Sequence, residues 1–448
     1  MMSSPLKYYC DENAFRFHVL EVGEGLMILI IFPDNKVMLF DCNVTEDNSE
    51  CILKYLEENI PYSYDDEAEE NAKIIHVFVN SHRDEDHYRG LKKVNEKFKI
   101  KSIWDSGQSG ATTQSSDYEY YMRLRRKLKE ANTDNLKVLV PTQSPIINIG
   151  GANVYCFSGK EDYQEDYDNS IRICEAFAKV QHTNSIVLKI EYGGTSLLLT
   201  GDSDWKAWKE KIIPNFLGKV KSEILIASHH GSRSFFTDEE ENETIDVENN
   251  PDSTYIDSID YIDPDIVLIS CGDYNTYHHP NKEAFEIYSN KSENCQVYTT
   301  KSCGSFAGYI DRYGNYTVVP TRFKECRTAS YSCNITINCK YYYNNTSYDV
   351  VSGSNLKVGG TLKFSVHTSG GILEPFDKVS VWWEVSNGGK WKNKNHQEIY
   401  SKGSNEDDGP LSFKRELLYK GTHLLRCQFS NRNKGSITKI FSVTGILV

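Results

Sequence analysis

The stretch that most restricts the fold runs from residue 74 to residue 90, where the apolar "IIHVFVN" hands over to "SHRDEDHYRG". The first part reads as a buried strand. A buried strand normally gives way to turn residues, whereas here two histidines and two aspartates crowd into six positions, and these are metal-binding groups. In an extended loop, His82 and Asp84 project to one side, and the Asp86–His87 pair turns back as the chain enters the predicted helix "YRGLKKVNEKF". Four such ligands on one loop can serve two cations a few ångströms apart.

One loop does not close a metal site, so further ligands are needed at the ends of other strands. The strand "LLLTGD" ends in Asp202, whose carboxylate can bridge two metals, and "LIASHHGS" ends in His229 and His230. A third segment, "CGDYNTYHHP", offers His278 and His279. A lone strand-end histidine is usually structural; the repetition of the pattern after one apolar strand after another points to a centre.

The rest of the first 320 residues alternates strands and helices. "FRFHVLEV", "LMILIIF" and "KVMLFDC" read as paired strands, and "ECILKYLEENI" and "DYEYYMRLRRKLKEA" as helices. The acidic "YSYDDEAEEN" reads as a loop. The strands "NVYCF", "SIVLKIEYG" and "TSLLLTG" precede the helix "DWKAWKEKII" and the strand "SEILIAS". This order predicts an α/β sandwich. From about residue 331, short strand candidates separated by Gly, Asn and Ser predict a small all-β sandwich. The expected domains are therefore 1–325 and 331–448, with the acidic run at 237–250 a solvated insertion.

Charge is uneven along the chain. Of the 50 Lys and Arg and 63 Asp and Glu, residues 331–448 hold 15 and 9, so the terminal part is +6 and the body -19. A basic terminal domain suits an anionic ligand, and an acidic body disfavours non-specific nucleic-acid binding. The 12 cysteines form no CxxC pair, the N-terminal residues lack a signal-peptide pattern, and the longest apolar run, "GLMILIIF", is too short to span a bilayer. The expectation is a cytoplasmic protein with reduced thiols and no membrane partner.

Taken together, "SHRDEDHYRGL", "NSIVLKIEYGGTSLLLTGD", "SHHGS" and "HHP" resemble the metallo-β-lactamase αββα fold in the variant found in the soluble hydrolase domain of ComEC-type DNA-uptake proteins. The resemblance covers roughly residues 15–318 and implies metal ligands at His82, Asp84, Asp86, His87, Asp202 and one of His229 or His230, with Asp41 supporting them. Two positions depart from the pattern. Leu26 stands where an acidic residue is usual. Asp84 stands where a second histidine is common, and Asn184 appears in the place of another histidine ligand. A carboxylate in place of imidazole makes the first site richer in oxygen, which favours Mn over Zn as the pair of divalent cofactors.

The terminal segments "VSVWWEVSNGGK", "FKRELLYKGTHLLRCQFSN" and "ITKIFSVTGI" resemble the adenylyl/guanylyl-cyclase and SMODS C-terminal sensor domain of anti-phage signalling systems. Trp383 and Tyr419 are candidates for stacking on a base, and Lys420 or Arg426 for pairing with phosphate. The combined expectation is a two-metal nuclease or phosphodiesterase, with Asp84 and His279 in catalytic roles and Ser232 and Lys301 near phosphate oxygens. A nucleotide second messenger would switch it on, and nucleic acid or a nucleotide would be the substrate. The alternatives are a phosphodiesterase that degrades the messenger and a non-enzymatic nucleotide sensor. A homo-oligomer is compatible with each.

Overall fold

The computed structural model describes residues 14–66, 69–107, 115–160, 181–238, 245–272, 277, 279–291, 295–320, 335–368, 378–386, 391–399, 412–418, 421–431 and 435–446. The chain divides into two compact units, the first spanning Cys10–Ser302 and Ala307–Val318 and the second chiefly Val319–Val448. The architecture is mixed α/β with several sheets.

Two sheets dominate the first part. An eight-stranded sheet runs in the order Leu136–Val138, Ile103–Asp105, Val77–Asn80, Val37–Phe40, Ile28–Ile31, Phe15–Val19, Phe306–Ile310, Tyr316–Pro320. A seven-stranded sheet runs Ile147–Ile149, Ala152–Ser158, Val187–Tyr192, Thr195–Leu199, Ile224–Ile226, Ile266–Ile269, Gln296–Thr299. The inner strands "ILII", "VMLF", "ILI" and "IVLI" are buried at every position. Continuous apolar runs of this kind suit strands covered on both faces. On one side of the seven-stranded sheet, Leu198, Leu225 and Val267 pack with the helical residues Trp208, Ile262 and Ala284. Each such side chain contributes roughly 1.5–3 kcal/mol when fully buried.

The topology also aims the loops. Strands 195–199, 224–226, 266–269 and 296–299 are mutually parallel, as are 37–40, 77–80, 103–105 and 136–138. Loops leaving the carboxyl ends of parallel strands therefore emerge along one edge of each sheet, the usual position of a ligand site. Hydrogen bonds tie the two edges together: Ile186 N donates to Ser81 O at 3.0 Å, and Ser270 Oγ to Gly25 O at 2.8 Å.

Two local readings differ from the sequence expectation. The acidic stretch expected as a loop is a hairpin, Tyr62–Asp65 against Glu70–Lys73, because Asp65 is buried and accepts from Lys99 and Lys101 at 3.0 and 2.6 Å instead of facing water. The helix expected over 204–213 is a widened π-type turn, Ala207–Ile212, continuing into Ile213–Phe216. Pro214 lacks the N–H that a regular helix would use there.

The second unit contains a four-stranded sheet, Thr346–Val350, Ile335–Tyr343, Gly360–Thr368, Ser412–Leu417, and a five-stranded sheet, Ser354–Lys357, Gly435–Ile446, Gly421–Asn431, Lys378–Ser386, Trp391–Ile399. Phe364 of the first meets Phe441 of the second edge-on at 5.5 Å. Three of these strands (346–350, 354–357 and 391–399) carry mainly polar residues and gave no apolar alternation to read. No helix among the described residues is long and apolar enough to cross a membrane.

Candidate metal centre

The site assembles from strand ends. After Val77–Asn80 the chain enters Ser81, His82 and Arg83, then a short turn Glu85–His87. His82 and His87 are fully buried, and their rings lie 4.1 Å apart. Arg83, between them, is buried in another direction, over the Tyr121 ring and 3.8 Å from Asp105. Asp105 also accepts from Tyr121 Oη and Arg125 Nε, each at 2.6 Å. The residue between the two ligand candidates thus pins the loop to the sheet.

Asp202 sits at the centre of the cluster. Its Oδ2 is 3.6 Å from His82 Nε2, 3.3 Å from His87 Nε2, 3.6 Å from His229 Nε2 and 3.7 Å from His230 Nε2. The preceding Gly201 has φ +50°, and a Cβ there would come within 2.5 Å of Ser185 Oγ and 2.8 Å of Ser81 Cβ. Glycine is what allows the Asp202 loop to approach the His82 loop so closely.

Two groups of three could each hold a metal ion: His82, His182 and Asp202; and Asp86, His87 and His230. His182 is the residue sequence reasoning missed. It lies in a helical stretch, residues 181–183, shortly before strand Val187–Tyr192 and two positions ahead of Asn184, whose amide oxygen instead accepts from Lys211 Nζ at 3.1 Å. The available signal was a histidine directly before an apolar strand, "QHTNSIV". Asp84 bridges two imidazoles of the first group, 3.2 Å from His82 Nε2 and 3.1 Å from His182 Nε2. Asp86 Oδ2 lies 3.3 Å from His230 Nε2.

Supporting contacts fix the rings. Asp41 accepts from Ser81 N and Ser81 Oγ, each at 2.7 Å, and from His87 Nδ1 at 2.8 Å. Ser81 Oγ is 3.0 Å from His82 Nδ1. His230 Nδ1 is held by Ser270 O at 3.2 Å, and His229 Nδ1 by Ser234 Oγ at 2.8 Å. In this arrangement the Nδ1 atoms of His82, His87, His229 and His230 are engaged and their Nε2 atoms face inward. His229 and His230 both adopt left-handed backbone, with φ 48° and 56°, and Gly231 follows at +79°. A non-glycine residue in that region costs roughly 1–2 kcal/mol, and here it turns two imidazoles into the site.

The carboxylates and imidazoles of the cluster shift one another's protonation. Burial opposes the His87 cation, but Asp202, Asp86 and Asp41 outweigh it and hold its pKa well above the ordinary imidazole value. His182 and His230 are raised in the same sense, by Asp84 and by Asp202 with Asp86, against the opposing effect of burial. Burial dominates at His229 and, with the neighbouring histidines, depresses it. Burial acts to raise Asp84 and Asp86, yet both are held well below the usual carboxylate range by the surrounding histidines.

The donor set fits divalent metal. His87 Nε2, His230 Nε2 and Asp202 Oδ1 are buried without a hydrogen-bond partner among the described residues, although buried polar atoms are nearly always satisfied. Imidazole nitrogen and carboxylate oxygen are ligands for zinc and manganese alike.

The remaining expected residues fall as follows. His279 is described, its ring 5.7 Å from that of His229 and 6.1 Å from that of His230. Ser232 is buried beside the pair. Lys301 is exposed in Thr300–Cys303. His278, Tyr419 and Lys420 lie outside the described residues, as do the side chains of Trp383 and Arg426, whose backbones belong to strands Lys378–Ser386 and Gly421–Asn431.

Fold and site define a mixed α/β unit with paired His/Asp clusters, followed by a β-rich unit. Residues 316–444 match the adenylyl/guanylyl and SMODS C-terminal sensor domain. The chain is also 28% identical over 141 residues to "ComE operon protein 3" of Bacillus subtilis (strain 168), covering 31% of this chain and 15% of that protein. It is 23% identical over 293 residues to "Recombination protein 2" of Haemophilus influenzae (64% of this chain, 28% of that protein). To "Competence protein ComA" of Neisseria gonorrhoeae it is 30% identical over 98 residues (22% and 11%). The matched part is less than a third of each relative. The chain thus joins a region similar to ComEC-type competence proteins to a C-terminal region that matches the sensor-domain family.

Proposed function

We propose that residues 1–325 form a metallo-β-lactamase-type αββα sandwich holding two divalent metal ions, and that this domain hydrolyses phosphodiester bonds in nucleic acid or nucleotides. The observation that carries this reading is the convergence of two ligand groups on Asp202, with His87 Nε2, His230 Nε2 and Asp202 Oδ1 left without hydrogen-bond partners among the described residues. His82, His182, Asp202 and Asp84 would hold one cation, and Asp86, His87 and His230 with Asp202 the other. Two such cations supply an activated water and offset charge on a phosphoryl group. Around them, Asp41 and Ser81 fix the imidazoles of His82 and His87, and His279, whose ring neighbours those of His229 and His230, would protonate a leaving oxygen. No serine or cysteine nucleophile is needed.

The C-terminal unit, residues 331–448, is the regulatory half of this proposal. It binds a nucleotide second messenger, with Trp383, Tyr419, Lys420 and Arg426 as the proposed contacts, and switches the catalytic domain on as the effector of an anti-phage signalling system. The match to a sensor domain and the +6 charge of that region support this. The test is a screen of metal-stripped full-length protein, reloaded with Mn²⁺ or Zn²⁺, against DNA, RNA and cyclic nucleotides, with and without added cyclic di- and trinucleotides. Messenger-stimulated cleavage of a polymer is expected. Cleavage of the messenger alone would favour the degrading phosphodiesterase, and no hydrolysis of any substrate would leave a sensor without chemistry.

A further inference from the structure

Beside the metal cluster stands an aromatic group that the reading above leaves without a role. Tyr277 is 67% exposed. Its ring lies nearly parallel to that of His279, 5.9 Å between centroids and 23° between planes. His279 in turn makes ring contacts with His229 and His230. The order outward from the cluster is therefore metal-facing imidazole, then His279, then an exposed phenol. A ring this exposed gains little from burial, so core packing does not account for the parallel alignment of Tyr277 with His279.

We infer that Tyr277 and His279 form a stacking platform for one unpaired nucleobase next to the scissile phosphate, so that the substrate is single-stranded nucleic acid or a nucleotide with a free base face. This rests on the proposed phosphodiesterase reading and narrows its substrate. A base in a duplex has both faces occupied by its neighbours and cannot reach an aromatic ring without being unstacked. An unstacked base can lie on Tyr277 while its phosphate reaches inward past His279, so that contact between π-faces contributes binding where the acidic body would repel a backbone-only grip. Stacking of this kind tolerates any base, so the platform selects strandedness rather than sequence.

The test measures binding and turnover separately. Full-length protein is titrated with a fluorescent single-stranded pentanucleotide in Ca²⁺, and with the same strand carrying one abasic position, in wild type, Tyr277→Ala and Tyr277→Phe. Loss of one base stack predicts roughly 5- to 150-fold weaker binding for the alanine variant on the base-bearing strand. It also predicts recovery with phenylalanine, and no further loss from the alanine change on the strand whose abasic position falls at the platform. In turnover with Mn²⁺, the change should appear in KM with kcat within about twofold. Equal binding of base-bearing and abasic strands by wild type and Tyr277→Ala would overturn the platform, as would wild-type preference for duplex over single strand. Base-dependent binding with no hydrolysis under any metal would instead overturn the phosphodiesterase reading and leave the platform standing.

Discussion

Replacing Asp41 by Asn tests the metal reading at one proton. Asp41 is fully buried and sits at φ +58°, a region that Asn, like Asp, tolerates better than most non-glycine residues, so the backbone should not move. The amide oxygen can still accept from Ser81 N, where Asp41 Oδ1 is 2.7 Å away. The change falls at Oδ2, which accepts from His87 Nδ1 at 2.8 Å. An NH₂ in that place can only donate, so His87 must present a bare Nδ1 and carry its proton on Nε2. That is the atom turned towards Asp202 and left without a hydrogen-bond partner, the lone pair a metal requires. Keeping the original tautomer instead would sacrifice a hydrogen bond to a charged group, worth about 1.5–3 kcal/mol. Either route predicts roughly 10- to 100-fold weaker affinity in the Asp86–His87–His230 pocket, with the other pocket less affected. Calorimetric titration of metal-stripped protein with Mn²⁺ should resolve the two sites, and the far-ultraviolet circular dichroism of the apo-variant should match wild type. Two sites of wild-type affinity in Asp41→Asn would refute the orientation argument and, with it, the role of His87 Nε2 as a ligand.

His182→Ala should remove one bound metal equivalent per chain after dialysis against micromolar Mn²⁺, read by elemental analysis, whereas Asn184→Ala should keep both. Asp86→Ala with His87→Ala should abolish metal-dependent hydrolysis while the melting curve of the metal-stripped protein stays cooperative. Because Asp84 adds oxygen to the first pocket, metal-stripped protein should recover more activity with Mn²⁺ than with Zn²⁺ at equal concentration; strict zinc dependence would place Asp84 outside the coordination. Away from the site, burial and the nearby Arg16 lower the pKa of His18 to about 3 from 6.5. The unfolded chain therefore takes up a proton below pH 6.5 that the folded chain refuses. Stability should fall as pH drops from 6.5 towards 3, by on the order of 4 kcal/mol from this group alone, and urea midpoints for His18→Gln should show a shallower decline over that window.

How much of this was legible depended on which end of a strand a residue occupies. His82, Asp86, His87, Asp202 and His230 each follow an apolar run, and the run itself announces that the next polar group stands at a sheet edge. His182 precedes its strand, where a polar residue is ordinary, and what selects it is the pairing of Val187–Tyr192 in the seven-stranded sheet together with the bond from Ile186 to Ser81. The choice between His229 and His230 was equally out of reach: both turn inward only because two successive residues adopt left-handed backbone, a conformation that "SHHGS" permits through its glycine but does not impose. Asp41 was reached through family resemblance alone. Its three hydrogen bonds join residues 40 and 46 positions away, and no local pattern encodes such distances. In the terminal unit, apolar alternation identified the strands that build the core, such as Gly360–Thr368 and Gly435–Ile446, but not the polar ones along the edges of its sheets, including Thr346–Val350 and Trp391–Ile399.

Around Asp202 the chain breaks several rules that it keeps elsewhere. Two adjacent histidines are strained, buried ligand atoms lack hydrogen bonds, and Asp41, Asp84, Asp86 and Asp202 gather in a region where like charges repel. Each feature lowers the stability of the unit without bound cations, and they coincide in one place rather than being scattered. The carboxylates raise the pKa values of His87, His182 and His230 against the effect of burial, and so favour protons on those imidazoles. Two divalent ions would offset the same carboxylate charge and would also satisfy the orphaned atoms, so metal binding and release of those protons must be coupled. The folded unit should consequently gain stability with free metal as RT ln(1 + [M]/Kd) per site, and at fixed metal concentration the gain should shrink as acidification returns the protons to the histidines.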